Sequence, residues 1–237
     1  MINSETSALL AEKLDLIFPP VALAFMDSAP AGIGITEETV PSACGFWRKA
    51  EQATFFAPAD AHFNCPVGAM VMGFELPEAV SEELMDLVGQ MTKCGYLGAD
   101  EPGAIPVNPK PGAKGILYGP LSAFPGEPDA VLIWLTPAQA MVLSEATGGA
   151  HWGGGDQSPA LGRPACAAIP QSAAKSQALL SLGCIGMRTF TEIAPDRLLA
   201  VVPGKILDGF AAEVSRLRDV NDGMERFYKE RAARLAP

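Results

Sequence analysis

Apolar residues recur along this chain with two different periods, and the changes of period mark out its elements. The first stretch, 1–18, places Leu10, Leu14 and Ile17 at helical spacing among Glu5, Glu12, Lys13 and Asp15, which predicts an amphipathic helix ended by Pro19-Pro20. Val21 to Phe25 and Ala130 to Leu135 are short, uninterrupted apolar runs bounded by turn residues, the pattern of strands covered on both faces. Ile116 to Tyr118 and Leu198 to Val202 read the same way. A short helix fits Gly45 to Gln52, and from Pro77 the series Val80, Leu84, Leu87, Val88, Met91 predicts a longer one with Glu82, Glu83 and Asp86 outward. Thr136 followed by Pro137 is a helix start, because a threonine side chain satisfies exposed amides and proline lacks the amide that would need a partner. Further helices are expected around Ser172 to Leu180, over Lys205 to Leu217 with Ile206, Phe210 and Val214 inward, and from Met224 onward.

Glu101 to Gly115 is rich in proline and glycine and poor in apolar residues, so it reads as a linker or surface excursion. It divides the chain into 1–110, the first repeat with its N-terminal helix, inserted helix and linker, and 111–237, which holds the last strand of the first repeat (116–120, matching 198–204), the second repeat and the C-terminal helices. The two parts carry a similar order of features. Strand Val21 to Phe25 matches Val131 to Leu135, Ala43-Cys44 matches Ala165-Cys166, and Cys65 matches Cys184. Gly68 and Met70 follow one second cysteine, and Gly186 and Met187 the other. The cysteines lie 21 residues apart in the first half and 18 in the second, with 77–110 inserted in the first half only. The expected fold is therefore mixed α/β (α+β): two diverged repeats sharing a sheet, packed as one integrated unit.

Composition narrows the function. With 27 acidic and 17 basic residues in 237, the net charge of −10 repels a phosphate backbone, and no Lys/Arg stripe offsets it, so nucleic acid is not an expected partner. No run approaches the roughly 18 apolar residues of a membrane span. The N-terminal stretch lacks the form of a signal peptide, which points to a soluble, cytoplasmic protein with reduced thiols.

Five cysteines then carry the chemistry: Cys44, Cys65, Cys94, Cys166 and Cys184. Two like units usually pack about a pseudo-twofold axis, which brings equivalent elements together and would gather Cys44, Cys65, Cys166 and Cys184 at one metal site. Thiolates suit an iron-sulfur cluster, or zinc, although no C-x-x-C spacing is present. Cysteine is also a common core residue, and four buried thiols filling tight positions is the competing reading. Cys94 has no counterpart and reads as structural.

Other candidates are weaker. His62 stands three residues before Cys65, a chelate spacing, but a surface or loop histidine beside Asp60 is the simpler reading. His151 and Trp152 sit in the glycine-rich run 148–155, where Trp152 could stack on a ligand beneath a loop that acts as a lid. Lys49, Lys175 and Arg188 follow the cysteines and could favour a thiolate or hold an anion; solvated helix-face cations are the simpler explanation. Trp152, Lys175 and Arg188 are the candidate cofactor-binding residues. Pro203-Gly204-Lys205 lacks the Ser or Thr of a phosphate loop, and neither histidine has a hydrolase context.

Cys44-Gly45-Phe46-Trp47 with Ala50, Cys65 with Gly68, Cys166, and Ser181-Leu182-Gly183-Cys184-Ile185-Gly186-Met187-Arg188 together resemble the prokaryotic family known as domain of unknown function 169. The likeness spans most of the chain, with S-x-G-C-x-G-x-R its most specific part. It implies a cysteine-centred function and no particular activity. Three functions are open: a cysteine-held metal centre with a redox or electron-transfer role, an enzyme with one reactive cysteine, and an organic-ligand module in which Trp152, Phe46 and Trp47 line a pocket. The expected partner is a small molecule or a redox protein, and oligomeric state is open.

Overall fold

The computed structural model describes residues 3–108, 112–152 and 163–235. Eight α-helices and one six-stranded sheet, with short 3-10 turns between them, make up the described residues. The strands are β1 (Val21–Met26), β2 (Phe55–Pro58), β3 (Gly115–Pro120), β4 (Ala130–Leu135), β5 (Leu179–Ser181) and β6 (Leu198–Pro203), in the order β2-β3-β1-β4-β6-β5. Every adjacent pair is antiparallel. Outward from the central β1–β4 pair, β3 and β2 lie on one side and β6 and β5 on the other. Strands from both sides of the 101–115 stretch thus belong to one sheet.

Both faces of that sheet are covered, which is why β4 reads as six consecutive buried apolar residues rather than an alternation. One face carries α1 (Asn3–Lys13), α5 (Pro137–Glu145) and the buried start of α8 (Leu207–Leu235), closing on Ala22, Leu117, Val131, Ile133, Ala200 and Val202. The other face, with Val21, Leu23, Ile116, Tyr118, Leu132, Trp134 and Val201, carries α2 (Gly45–Lys49), α3 (Pro66–Val71), α6 (Ala168–Lys175) and α7 (Ile185–Thr191). Trp47 and Trp134 meet across this layer with ring centroids 6.3 Å apart. Each such fully buried large side chain contributes about 1.5–3 kcal/mol of transfer free energy. The remaining helix, α4 (Glu78–Lys93), packs on α3 and buries only Leu84.

Thr136 caps α5 as expected: its hydroxyl accepts from Gln139 N–H at 3.3 Å while the Gln139 side chain accepts from the Thr136 amide at 2.7 Å. Two expectations need correction. The helix expected over Ser172 to Leu180 ends at Lys175, where Ser176 turns left-handed, and Leu179 to Ser181 becomes edge strand β5 paired with β6. The C-terminal helices are one continuous helix, because Asn221, Asp222 and Gly223 lower helix propensity without breaking it. Gly153, Gly154 and Gly155 of the glycine run lie outside the described residues. No helix among those described is long and apolar enough to cross a membrane.

Candidate functional site

Four of the five cysteines stand where a helix begins. Cys44 is the N-cap of α2, Cys65 of α3 and Cys184 of α7, and Cys166 lies in the 3-10 turn 165–167 that runs into α6. Those helices lie on one face of the sheet and interleave across the two halves of the chain: α2 packs on α7, and α3 on the 165–167 turn. All four cysteines therefore line one cavity of about 420 Å³.

Depth differs within the set. Cys44 and Cys166 are buried, whereas Cys65 and Cys184 are partly exposed. Burial pushes the Cys44 thiol well above its ordinary pKa, and the proximity of Cys184 and Cys65 adds to the rise. Cys166 is raised for the same reason, first by burial and then by Cys44, Cys65 and Cys184. Cys44 and Cys166 thus resist ionisation first through burial and then through the neighbouring thiols. A cation placed among them would reverse that balance, with each ligating thiol releasing its proton.

The immediate supports are small. Ser42 Oγ lies 3.7 Å from Cys65 Sγ and also hydrogen-bonds the Cys44 side chain, so one hydroxyl touches two thiols. The Met187 amide donates to Cys184 Sγ at 3.4 Å. Gly68 permits the close passage of α3: a Cβ there would stand 2.9 Å from Cys65 Sγ and 3.0 Å from Ala43 Cβ. Among the described residues, no three His, Cys, Asp or Glu side chains are arranged around a single metal-ion position.

Beyond the thiols the cavity is mainly apolar, with Ser42, Asn64, Glu83, Tyr96 and Arg163 as its other described polar members. Leu84, Leu87, Val88 and Met91 of α4, with Leu97, Ile105 and Phe190, form its walls, and Met70, Met85 and Met187 add thioethers. Arg163 is the one basic residue among the described residues of the lining. Its guanidinium stacks over Tyr96 at 4.5 Å and pairs with Glu101 at 3.4 Å.

The remaining sequence candidates fall elsewhere. Trp152, Lys175 and Arg188 are outside the lining of this cavity. Trp152 is half exposed and bridges to Leu180 beside β5, while His151 contacts the Thr147 carbonyl. Arg188 donates to the carbonyls of Leu182, Pro195 and Arg197, tying α7 to its flanking loops. Lys49 pairs with Glu38 at 2.7 Å. Cys94 ends α4 in the open and donates to the Met91 carbonyl. Phe46 and Trp47 are fully buried in the core and line no part of this cavity, correcting the expectation of a pocket wall.

His62 is neither a surface residue nor turned to Cys65 as a chelate. It is fully buried, with Nδ1 2.9 Å from the Pro58 carbonyl and Nε2 3.1 Å from Tyr118 Oη. A carbonyl only accepts, so Nδ1 carries the proton and Nε2 accepts from the phenol. Burial lowers its pKa to about 4. Tyr118 in turn lies close enough to Cys44, Cys166 and Cys65 for their charge to raise its own pKa, after burial as the main cause. Sequence reading missed this supporting pair; Tyr118 lies in a strand, and its nearness to the thiols depends on strand order.

With this geometry in place, comparison with known families is direct. The model of the family DUF169, described as uncharacterised ArCR, matches residues 9–212, and the chain belongs to that family. No curated protein and no solved structure matches the chain.

Proposed function

We propose that Cys44, Cys65, Cys166 and Cys184 hold a soft metal centre, an iron-sulfur cluster, and that the protein exchanges electrons through it with a redox partner. One observation carries this reading: four thiols from distant parts of the chain line one cavity, and the two buried ones, Cys44 and Cys166, feel the others. Thiolate is the preferred ligand of iron-sulfur clusters. A multinuclear core places its ligands at separate corners, which accords better with thiols spread around a cavity than a single zinc ion does. The N–H···S contact from Met187 is of the kind that tunes cluster potential. Cys44, Cys65, Cys166 and Cys184, as thiolates, would hold the cluster, which when bound would supply one-electron transfer between a donor and an acceptor protein.

A diverged duplication accounts for how the ligands meet. The order β3-β1-β4-β6 with β2 and β5 outermost would relate β1 to β4, β3 to β6 and β2 to β5, and the cysteine-bearing α3 to α7. A twofold axis between β1 and β4 then puts each half's cysteines beside the other's. The inserted α4 falls outside the repeat and walls the cavity.

The test is the visible absorption of protein purified, or reconstituted with iron and sulfide, without oxygen. Sulfur-to-iron bands in the wild type and in Cys94→Ser, lost in Cys166→Ser and Cys184→Ser, support the reading. A colourless wild-type protein after reconstitution contradicts it. The apolar cavity favours a second reading, an organic ligand bound beside inert thiols, in which all four cysteine variants would retain binding.

A further inference from the structure

Helix α4 turns its apolar stripe toward a space. Leu84, Leu87, Val88 and Met91, at i, i+3, i+4 and i+7, share one side of the helix, and all four line the cysteine cavity. Leu84 alone of these is buried; the other three are half-buried, and α3 is the element on which α4 packs. The cavity in front of the stripe holds about 420 Å³, which falls among the roughly 300–1,000 Å³ of small-molecule sites. At about 30 Å³ per water-sized group it has room for roughly a dozen non-hydrogen atoms.

The stripe selects an apolar occupant. A buried water needs about two to four polar partners, and these four side chains supply none. A hydrocarbon chain laid against them removes apolar surface from water on both sides.

Arg163 selects the polar end. Two charged residues are found among the described residues of the lining, Arg163 and Glu83, and they are not equivalent. Glu83 is exposed on α4, where water and salt screen it. The Arg163 side chain is 31 % exposed and is held in place, stacked over Tyr96 and touching Glu101 through Nη2 at 3.4 Å. That contact is longer than the roughly 2.7–2.9 Å of a strong charge-assisted bond. Nε and Nη1 have no partner among the described residues. A positioned guanidinium thus keeps donors for a carboxylate, whose two oxygens match its fork.

We infer that the cavity binds an apolar carboxylic acid of medium chain length, its hydrocarbon tail along the α4 stripe and its carboxylate on Arg163. This goes beyond the cluster and does not rest on it, since α4, Tyr96 and Arg163 are parts of the lining apart from the four thiols.

The test is calorimetric titration of the metal-free, reduced full chain at about pH 8, above the carboxylate range, with octanoate and with octan-1-ol, its neutral counterpart. Octanoate is expected to bind at least tenfold more tightly than octanol. Arg163→Gln is expected to remove that preference, lowering octanoate affinity at least tenfold, and Glu83→Gln to tighten octanoate alone. Leu87→Trp, which fills the space in front of the stripe, is expected to weaken both compounds, with thermal unfolding of each ligand-free variant showing that it is folded. A wild type that takes up neither compound, or binds both equally, overturns the inference, as does an octanoate affinity untouched by Arg163→Gln. The titration needs no metal, and the cluster is read by its absorption, so the two results fall independently.

Discussion

Tyr118 donates its phenolic O–H to His62 Nε2 at 3.1 Å, and both side chains are buried without residual exposure. The pair stands behind the thiols: Tyr118 is close enough to Cys44 and Cys166 to be perturbed by them, and Phe46, two residues after Cys44, packs edge-on against His62 with centroids 5.0 Å apart. This polar link lies within the apolar layer behind the cysteines. Tyr118→Phe leaves Nε2 buried without a donor, and is expected to cost about 1–3 kcal/mol in chemical denaturation.

Acid should act through His62. Its folded pKa, about 4, lies below the ordinary 6.5 because burial disfavours the charged form. The unfolded chain therefore takes up the proton first as pH falls. Stability from this residue is complete above pH 6.5 and is lost progressively down to about 4, a change of roughly 3 kcal/mol. Urea unfolding across that window should show the decline, and His62→Gln should flatten it. A parallel decline in the variant would assign the effect to other groups.

Glycine at 68 is required by the thiol it passes. Gly68→Ala sets a methyl group 2.9 Å from Cys65 Sγ, so α3 or Cys65 must shift. The expected cost is about 1–3 kcal/mol by thermal unfolding, the range for overpacking. Gly89→Ala, where an added Cβ meets nothing within 4 Å, serves as the neutral or stabilising control.

Thiol reactivity should follow depth. In metal-free, reduced, folded protein, alkylation followed by mass spectrometry is expected to label exposed Cys94 first and Cys44 and Cys166 last, the latter two only on unfolding. Burial holds both as neutral thiols and shields them from reagent. Early labelling of Cys44 or Cys166 would contradict the described cavity.

Much of the sheet was legible because it is covered on both faces: β1, β3, β4 and β6 appear as compact apolar runs between prolines and glycines. The edge strands were not. Phe55 to Pro58 and Leu179 to Ser181 are four and three residues long, too short to display a period, and they exist through pairing with β3 and β6. Helix α7 was hidden for a similar reason, since Ile185 and Phe190 are exposed and only Met187 and Thr191 are buried. The four cysteines were identifiable from their repeated order, and their convergence was expected from symmetry. Ser42, Tyr118 and the α4 wall were not identifiable, because each joins the site through a contact distant in sequence. His62 was misread as a loop residue because its polar neighbour Asp60 is local, while the tyrosine that buries it is 56 residues away.

The most direct measurement is the iron and acid-labile sulfide content per chain of protein isolated without oxygen, set beside that of Cys44→Ser. Both elements in stoichiometric amounts in the wild type, with marked loss in the variant, are expected if the four cysteines hold a cluster. Protein that lacks iron and sulfide, and takes up neither on anaerobic reconstitution, would contradict that account.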